Sequence, residues 1–200
     1  MDAGRVWISD NGFKTFRYPA REPNPWGDGN DITFTKDGAI FATTGQSGQF
    51  NGILRSGDGR ATFETLSGEK RGLPEAGWEK GPEGAGIYAH PEDSKRVWAA
   101  LGGRLIQSTD GGETWSPFED APAWSTWIAG DPTKAGRFYV SAADGIYVID
   151  NGTAPVCIGG PAPAGGGRIN VDAKGRVLAC QWRSGRAGLW RYDPTTTVWI

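Results

Sequence analysis

The sequence predicts an all-β fold, a β-propeller whose four-stranded antiparallel blades stand around a central channel, and three observations predict it. An eight-residue phrase recurs along the chain at the interval of one blade. A short apolar run precedes each copy, as a strand ending in a tight turn requires. Gly and Pro, 32 and 13 of 200 residues, put a turn signal every few positions and leave no long helical period.

The fullest phrase is Ser108-Thr109-Asp110-Gly111-Gly112-Glu113-Thr114-Trp115, of the form Ser-x-Asp-x-Gly-x-Thr-Trp. Ser9 to Phe16 and Ser56 to Phe63 keep Ser, Asp or Asn, Gly, Thr and a closing aromatic, while Ile149 to Val156 and Tyr192 to Trp199 are decayed copies. Their first residues, at 9, 56, 108, 149 and 192, are 47, 52, 41 and 43 residues apart. The logic of the phrase is local. Asp or Asn in a tight turn accepts backbone N–H bonds, Gly supplies a positive φ, and the aromatic folds back onto the blade. Ser108, Asp110, Gly112, Thr114 and Trp115, with Ser56, Asp58, Thr62 and Phe63, are therefore read as structural.

Taken in order, residues 4–18 hold only an outer hairpin. Blades follow at about 31–66, 85–120, 126–159 and 167–200, with first turns at Lys36-Asp37-Gly38, Pro91 to Ser94, Asp131 to Lys134 and Asp172 to Gly175. Closed propellers complete a blade with strands from both chain ends, which removes exposed edges. These two ends do not complement each other, because the last blade is already full. About four and a half blades then read as a single partial propeller domain, part of a seven-bladed ring, with a complete small ring as the alternative. No signal peptide is visible before the first predicted strand.

A formal charge of −2 argues against a nucleic-acid or anionic membrane surface. No apolar run approaches the roughly 18 residues of a membrane span. No Cys or His cluster has metal-ligand spacing, and no phosphate-cradling loop precedes a helix, so neither metal nor cofactor is predicted. Cys157 and Cys180 fall on different predicted blades, which disfavours a disulfide. His90, the only histidine, adjoins a hairpin turn and is read as its cap.

In this architecture the repeated phrase lies on one mouth of the channel and the loops between blades lie on the other. The predicted functional loops are 19–30, 67–85, 119–127 and 159–168, with smaller parts from 44–51, 101–103, 143–145 and 181–187. Trp7, Trp98, Trp115, Trp190 and Trp199 fall on strands or the phrase and are read as core, where a ring buries roughly 150–250 Å². Trp26, Trp78, Trp124, Trp127 and Trp182 fall in or beside the loops. A flat exposed ring takes the apolar face of a pyranose, and neighbouring polar groups such as Glu83 and Gln181 take its hydroxyls, so the predicted ligand is a polysaccharide or oligosaccharide. The alternative for each Trp is packing between blades.

The phrase is similar to the Asp box, and the chain resembles the Asp-box propeller superfamily, which includes sialidases, tandem-propeller xyloglucanases, sortilin-type receptors and photosystem assembly factors. The resemblance to the xyloglucanase type rests on Ile128 to Pro132, Arg137 to Val140 and Gly145-Ile146-Tyr147, echoed from Ile87 through Val97-Trp98 to Trp115. It implies a secreted, extracellular or periplasmic glycoside hydrolase acting on a β-glucan such as xyloglucan. It also implies paired catalytic aspartates across a cleft, with a second propeller or further blades as partner. Glycoside hydrolysis needs one protonated and one ionised carboxyl. The matching segment here is Trp26-Gly27-Asp28-Gly29-Asn30-Asp31, making Asp28 and Asp31 the catalytic candidates, with Glu83 and Glu79 in reserve. Gly86, Trp127 and Arg168 occupy the position of Asp31 in the other blades, so the repeat does not demand an acid there. Phe16-Arg17-Tyr18-Pro19 is similar to the sialidase Phe-Arg-Ile-Pro motif, but Arg17 follows a box on an outer strand instead of preceding one on an inner strand. The rival reading is a non-catalytic scaffold that uses the same face for a protein partner.

Overall fold

The computed structural model describes residues 7–19, 29–44, 49–50, 52–57, 62–75, 77–80, 84–160, 167–181 and 188–200, with backbone only at 49–50, 77–80, 84–85 and 181. β1 (Gly29–Phe34), β2 (Ile40–Thr44), the short β3 (Gln49–Phe50), β4 (Ile53–Ser56) and β5 (Glu64–Leu66) come first. β1, β2, β4 and β5 form blade 1. A 3-10 turn at Glu69–Arg71 leads to β6 (Gly77–Lys80), which returns to pair with β3. This two-stranded sheet was not legible in the predicted loops 44–51 and 67–85, because a two-residue strand shows no alternation.

Blade 2 is β7 (Gly84–Ala89), β8 (Val97–Leu101), β9 (Arg104–Ser108) and β10 (Ser116–Pro117). Blade 3 is β11 (Trp127–Gly130), β12 (Arg137–Ser141), β13 (Ile146–Asp150) and β14 (Val156–Cys157). Blade 4 is β15 (Arg168–Val171), β16 (Val177–Gln181), β17 (Gly188–Asp193) and β18 (Val198–Trp199). All four are antiparallel meanders. Their first strands, β1, β7, β11 and β15, lie side by side in turn and line the axis of a β-propeller.

Period-2 alternation sends successive side chains of each strand to opposite faces, and each face meets the neighbouring blade. Phe41 and Ile53 of blade 1 bury against Ile87, Val97, Ala99 and Ile106 of blade 2. One blade on, Trp98 and Leu105 bury against Ile128, Phe138, Val140 and Ile149. In the last joint Tyr139 and Ile146 bury against Ile169, Val177, Ala179 and Tyr192. The core is thus a series of joints between repeats.

Gly86 is demanded by the second joint, since a Cβ there would sit 2.2 Å from the Ile128 nitrogen. Its own N–H reaches the Thr126 carbonyl at 3.3 Å. The box at 108–115 closes on itself. Ser108 Oγ accepts the Gly112 N–H at 2.8 Å, and Asp110 accepts the N–H and hydroxyl of Thr114 at 2.9 and 2.5 Å. Desolvation, the largest single effect, raises the Asp110 pKa, but these bonds, with those from the Ser108 hydroxyl and the Glu113 N–H, together outweigh it and hold the carboxyl below its ordinary range. Trp115 is 5% exposed and donates Nε1–H to the Gly112 carbonyl. Glu113 reaches back to Arg55 of the preceding blade and to Arg71 of the 3-10 turn that follows it.

The hairpin at 7–18 repeats this geometry without a described inner pair. Ser9 Oγ accepts the Phe13 N–H, Asn11 Oδ1 accepts the Thr15 N–H, both at 2.9 Å, and an Ile8–Arg17 bridge closes it. Trp7 is a correction to the sequence reading, being 51% exposed and packed on Tyr18 at 4.3 Å between ring centroids, because the face it occupies is turned to solvent. Trp190 and Trp199 are half-buried. Asp58 of the second box lies outside the described residues, while Ser56 and Phe63 are buried and Thr62 is exposed. Both cysteines are free and exposed.

Candidate functional site

The starts of the inner strands and the turns after the second strands share one end of the blades, opposite the boxes. Asp31 sits there on β1, paired with Thr43. Its Oδ1 accepts the Ile32 N–H and its Oδ2 the Ile87 N–H, both at 2.9 Å. Two residues on, Thr33 Oγ1 accepts the Ala89 N–H at 3.1 Å. These side chains satisfy edge N–H groups of β7, so Asp31 joins two blades as well as facing the channel end. Burial raises the Asp31 pKa above 3.8, opposed by the Ile87 and Ile32 N–H bonds and by the Arg168 charge.

Arg168 holds the corresponding place on β15, paired with Cys180, and its guanidinium carbon lies 4.6 Å from the centre of the Trp127 ring on β11. Trp127 is therefore half-buried with one face taken by a cation, a contact worth about 0.5–2 kcal/mol. The sequence placed Arg168 at this register without giving it a role. Positions 41 residues apart meet only through the ring geometry.

Trp124 is different. It is 68% exposed, has φ 56°, and lies over Gly103 in the second turn of blade 2, where a Cβ would come within 2.8 Å of Trp124 Cε3. The loop beneath is pinned on both sides. The Ser125 N–H reaches the Gly103 carbonyl at 3.0 Å, Ser125 Oγ donates to the Pro122 carbonyl at 2.7 Å, and the Ala143 N–H reaches the Ala123 carbonyl at 3.1 Å. A large ring is thus held outward on a tied loop between blades 2 and 3. On the adjoining turn Tyr147 donates to Asp144 at 2.8 Å, which, ahead of burial, pushes its pKa up to about 12.

Trp26, Asp28, Glu83 and Trp182 lie outside the described residues, as does the Glu79 side chain. Trp78 falls on β6 and Gln181 ends β16, both described by backbone alone. The structure brings Asp31, Trp127 and Arg168 to one end of the inner strands, with Trp124 on a loop at that same end. Arg17 pairs with Asp10 at 3.2 Å on the outer hairpin. His90 Nδ1 accepts the Glu92 and Asp93 N–H groups at 3.1 Å, capping its turn on the box side. Among the described residues no His, Cys, Asp and Glu group has the arrangement of a metal site.

No family model and no curated protein matches the chain. Among solved structures it is similar to the GH74 xyloglucanase from Xanthomonas campestris, with 21% identity, a TM-score of 0.66, and coverage of 100% of this chain and 28% of that one. An ancestral GH74 enzyme gives 16% identity and a TM-score of 0.71 over the same shares. YCF48 bound to D1 peptide gives 18% identity and a TM-score of 0.60 over 90% of this chain and 59% of that one. The chain spans under a third of the length of the two GH74 enzymes. At these identities the likeness establishes the propeller fold.

Proposed function

We propose that the chain is a carbohydrate-binding part of a propeller glycoside hydrolase acting on a β-glucan such as xyloglucan, with Trp124 as the platform on which a pyranose stacks. The observation that carries this reading is the exposed Trp124 ring, backed by Gly103 and held outward by a loop tied to the turns of two blades. A ring positioned before the ligand arrives loses little freedom on binding. Trp26, Trp78 and Trp182 extend the platform in this reading, and Glu83 and Gln181 bind hydroxyls. Asp31, with its pKa raised by burial, is the candidate acid, and Asp28 lies on the segment that precedes it. The partner surface is a second propeller or further blades, in a secreted protein.

The test is a tryptophan-fluorescence titration with xyloglucan and other β-glucan oligosaccharides, repeated with Trp124→Ala, Trp26→Ala and Trp78→Ala. Saturable binding weakened by about tenfold or more in Trp124→Ala supports the reading. Equal affinity in a folded Trp124→Ala variant removes it. A second reading, a scaffold for a protein partner, is favoured by the exposed rings of Trp7, Phe13 and Phe16 on the hairpin. It predicts no sugar response and binding lost on Phe13→Ala instead.

A further inference from the structure

The face of blade 4 that points away from blade 3 carries, at five places, residues of the same kind as the face of blade 1 that is buried against blade 2, polar, apolar, small, apolar and Arg. Register makes the match explicit. In blade 1, Thr33 pairs with Phe41, Phe41 with Arg55 and Thr43 with Ile53. In blade 4, Asn170 pairs with Leu178, Leu178 with Arg191 and Cys180 with Leu189. The sets Thr33, Phe41, Thr43, Ile53, Arg55 and Asn170, Leu178, Cys180, Leu189, Arg191 therefore occupy the same five places, while at a further place of the same face Asp31 of blade 1 is replaced by Arg168 of blade 4.

Their surroundings differ completely. Phe41, Thr43 and Ile53 are each 0% exposed, whereas Leu189 is 71% exposed and Cys180 and Asn170 are exposed. In blade 1, Arg55 is held by Glu113 from the sixth position of the next blade's box and by Glu64 from its own blade at 3.8 Å. In blade 4, the residue opposite Arg191 is Ile200, 65% exposed, and Arg191 makes no ion pair among the described residues. The cation is retained where its partner in the parent joint comes from the following blade.

We propose that this face of blade 4 docks a further Asp-box blade that carries an acidic side chain at the sixth box position, in the way blade 1 docks blade 2. A Glu or Asp there would meet Arg191, and Asn170 would receive an inner-strand N–H as Thr33 receives that of Ala89. Leu178 and Leu189 supply the apolar contact. A second copy of this chain fits poorly. The sixth box position of blade 1 is Ala61 and that of the hairpin is Lys14, and the blade 1 face a copy would present is already buried at Ile40, Ala42 and Leu54. The proposal is independent of any sugar site.

Cys180 makes the test direct, because its thiol lies on this face while that of Cys157 lies on blade 3. Residues 67–119 are repeated after Ile200, which appends a second blade 2 with its own Glu113. The reaction of Cys180 with a disulfide reagent is expected to slow by at least about tenfold relative to the 200-residue chain, with Cys157 unchanged. Arg191→Glu should restore fast reaction, and Glu113→Arg in the appended repeat should recover protection. Cys180 reacting equally fast in an extended chain with added strand content overturns the proposal. Protection in the unextended chain that grows with its concentration also overturns it, since the occupant would then be a second copy. If the single repeat does not fold, the same reading on a chain extended by residues 67–160 decides the matter, and fast Cys180 reaction there overturns the proposal.

Discussion

Asp31 Oδ2 accepts the Ile87 N–H at 2.9 Å and so joins the inner strands of two consecutive blades through one carboxylate. Asp31→Ala should leave that N–H without an acceptor and cost about 1–3 kcal/mol in urea unfolding. The pH dependence follows from the raised pKa. The native state keeps the Asp31 proton longer than the unfolded chain, so this contribution is fully present below 3.8 and is lost as pH rises through the folded value. The deficit of Asp31→Asn should accordingly shrink as pH increases across that window. A pH-independent deficit would contradict the burial of the carboxyl.

Gly103→Ala tests the seat of Trp124. The added methyl would press on Trp124 Cε3 and would have to adopt φ 80°. We expect a loss of about 1 kcal/mol or more together with weakened sugar binding. Trp124→Ala, by contrast, removes a mostly exposed ring and should leave the unfolding midpoint within the range of a surface change, about 0.5 kcal/mol. Denaturation of the two variants side by side separates seat from platform.

At the second joint, Gly86→Ala places a methyl against the Ile128 backbone nitrogen, which cannot rotate away. Blades 2 and 3 must then part, at about 1–3 kcal/mol. Thermal unfolding with no loss of midpoint would mean that the inner strands are further apart than described.

Glu113 gives the opposite pH sign to Asp31. Arg55, by hydrogen bond and charge, and then Arg71 hold its pKa below 4.5. Its contribution is therefore present above 4.5 and lost as pH falls through the folded value. The side chain is 56% exposed, so Glu113→Gln should cost no more than about 1 kcal/mol at neutral pH and flatten the acid limb of stability. Added salt should shrink the difference further.

Blade order was legible because the signals that mark it are short-range. The box at 108–115 makes its defining bonds between residues two to four apart, and each apolar run lies directly ahead of its box. The contacts that shape the site and the joints between blades connect distant positions. Arg168 meets Trp127, Trp124 meets Gly103, and Glu113 meets Arg55 only after the blades are assembled. Trp7 shows the same limit from the other side. Its place on a strand could be read, but its exposure depends on what the strand packs against.

In the hairpin at 7–18, Ser9 and Asn11 accept the same two backbone N–H bonds that Ser108 and Asp110 accept in the box of blade 2. A corner whose defining bonds are all local is a candidate for an early kinetic event, since hairpins close in about 1–10 μs while joints between blades wait for long loops to close. On that view the repeats fix their strand ends before the ring has a shape. Thr114→Ala should then slow folding more than it speeds unfolding, whereas Ile53→Val, inside a joint, should act mainly on the unfolding rate. A chevron with the two effects reversed would show that the boxes lock only after the blades have met.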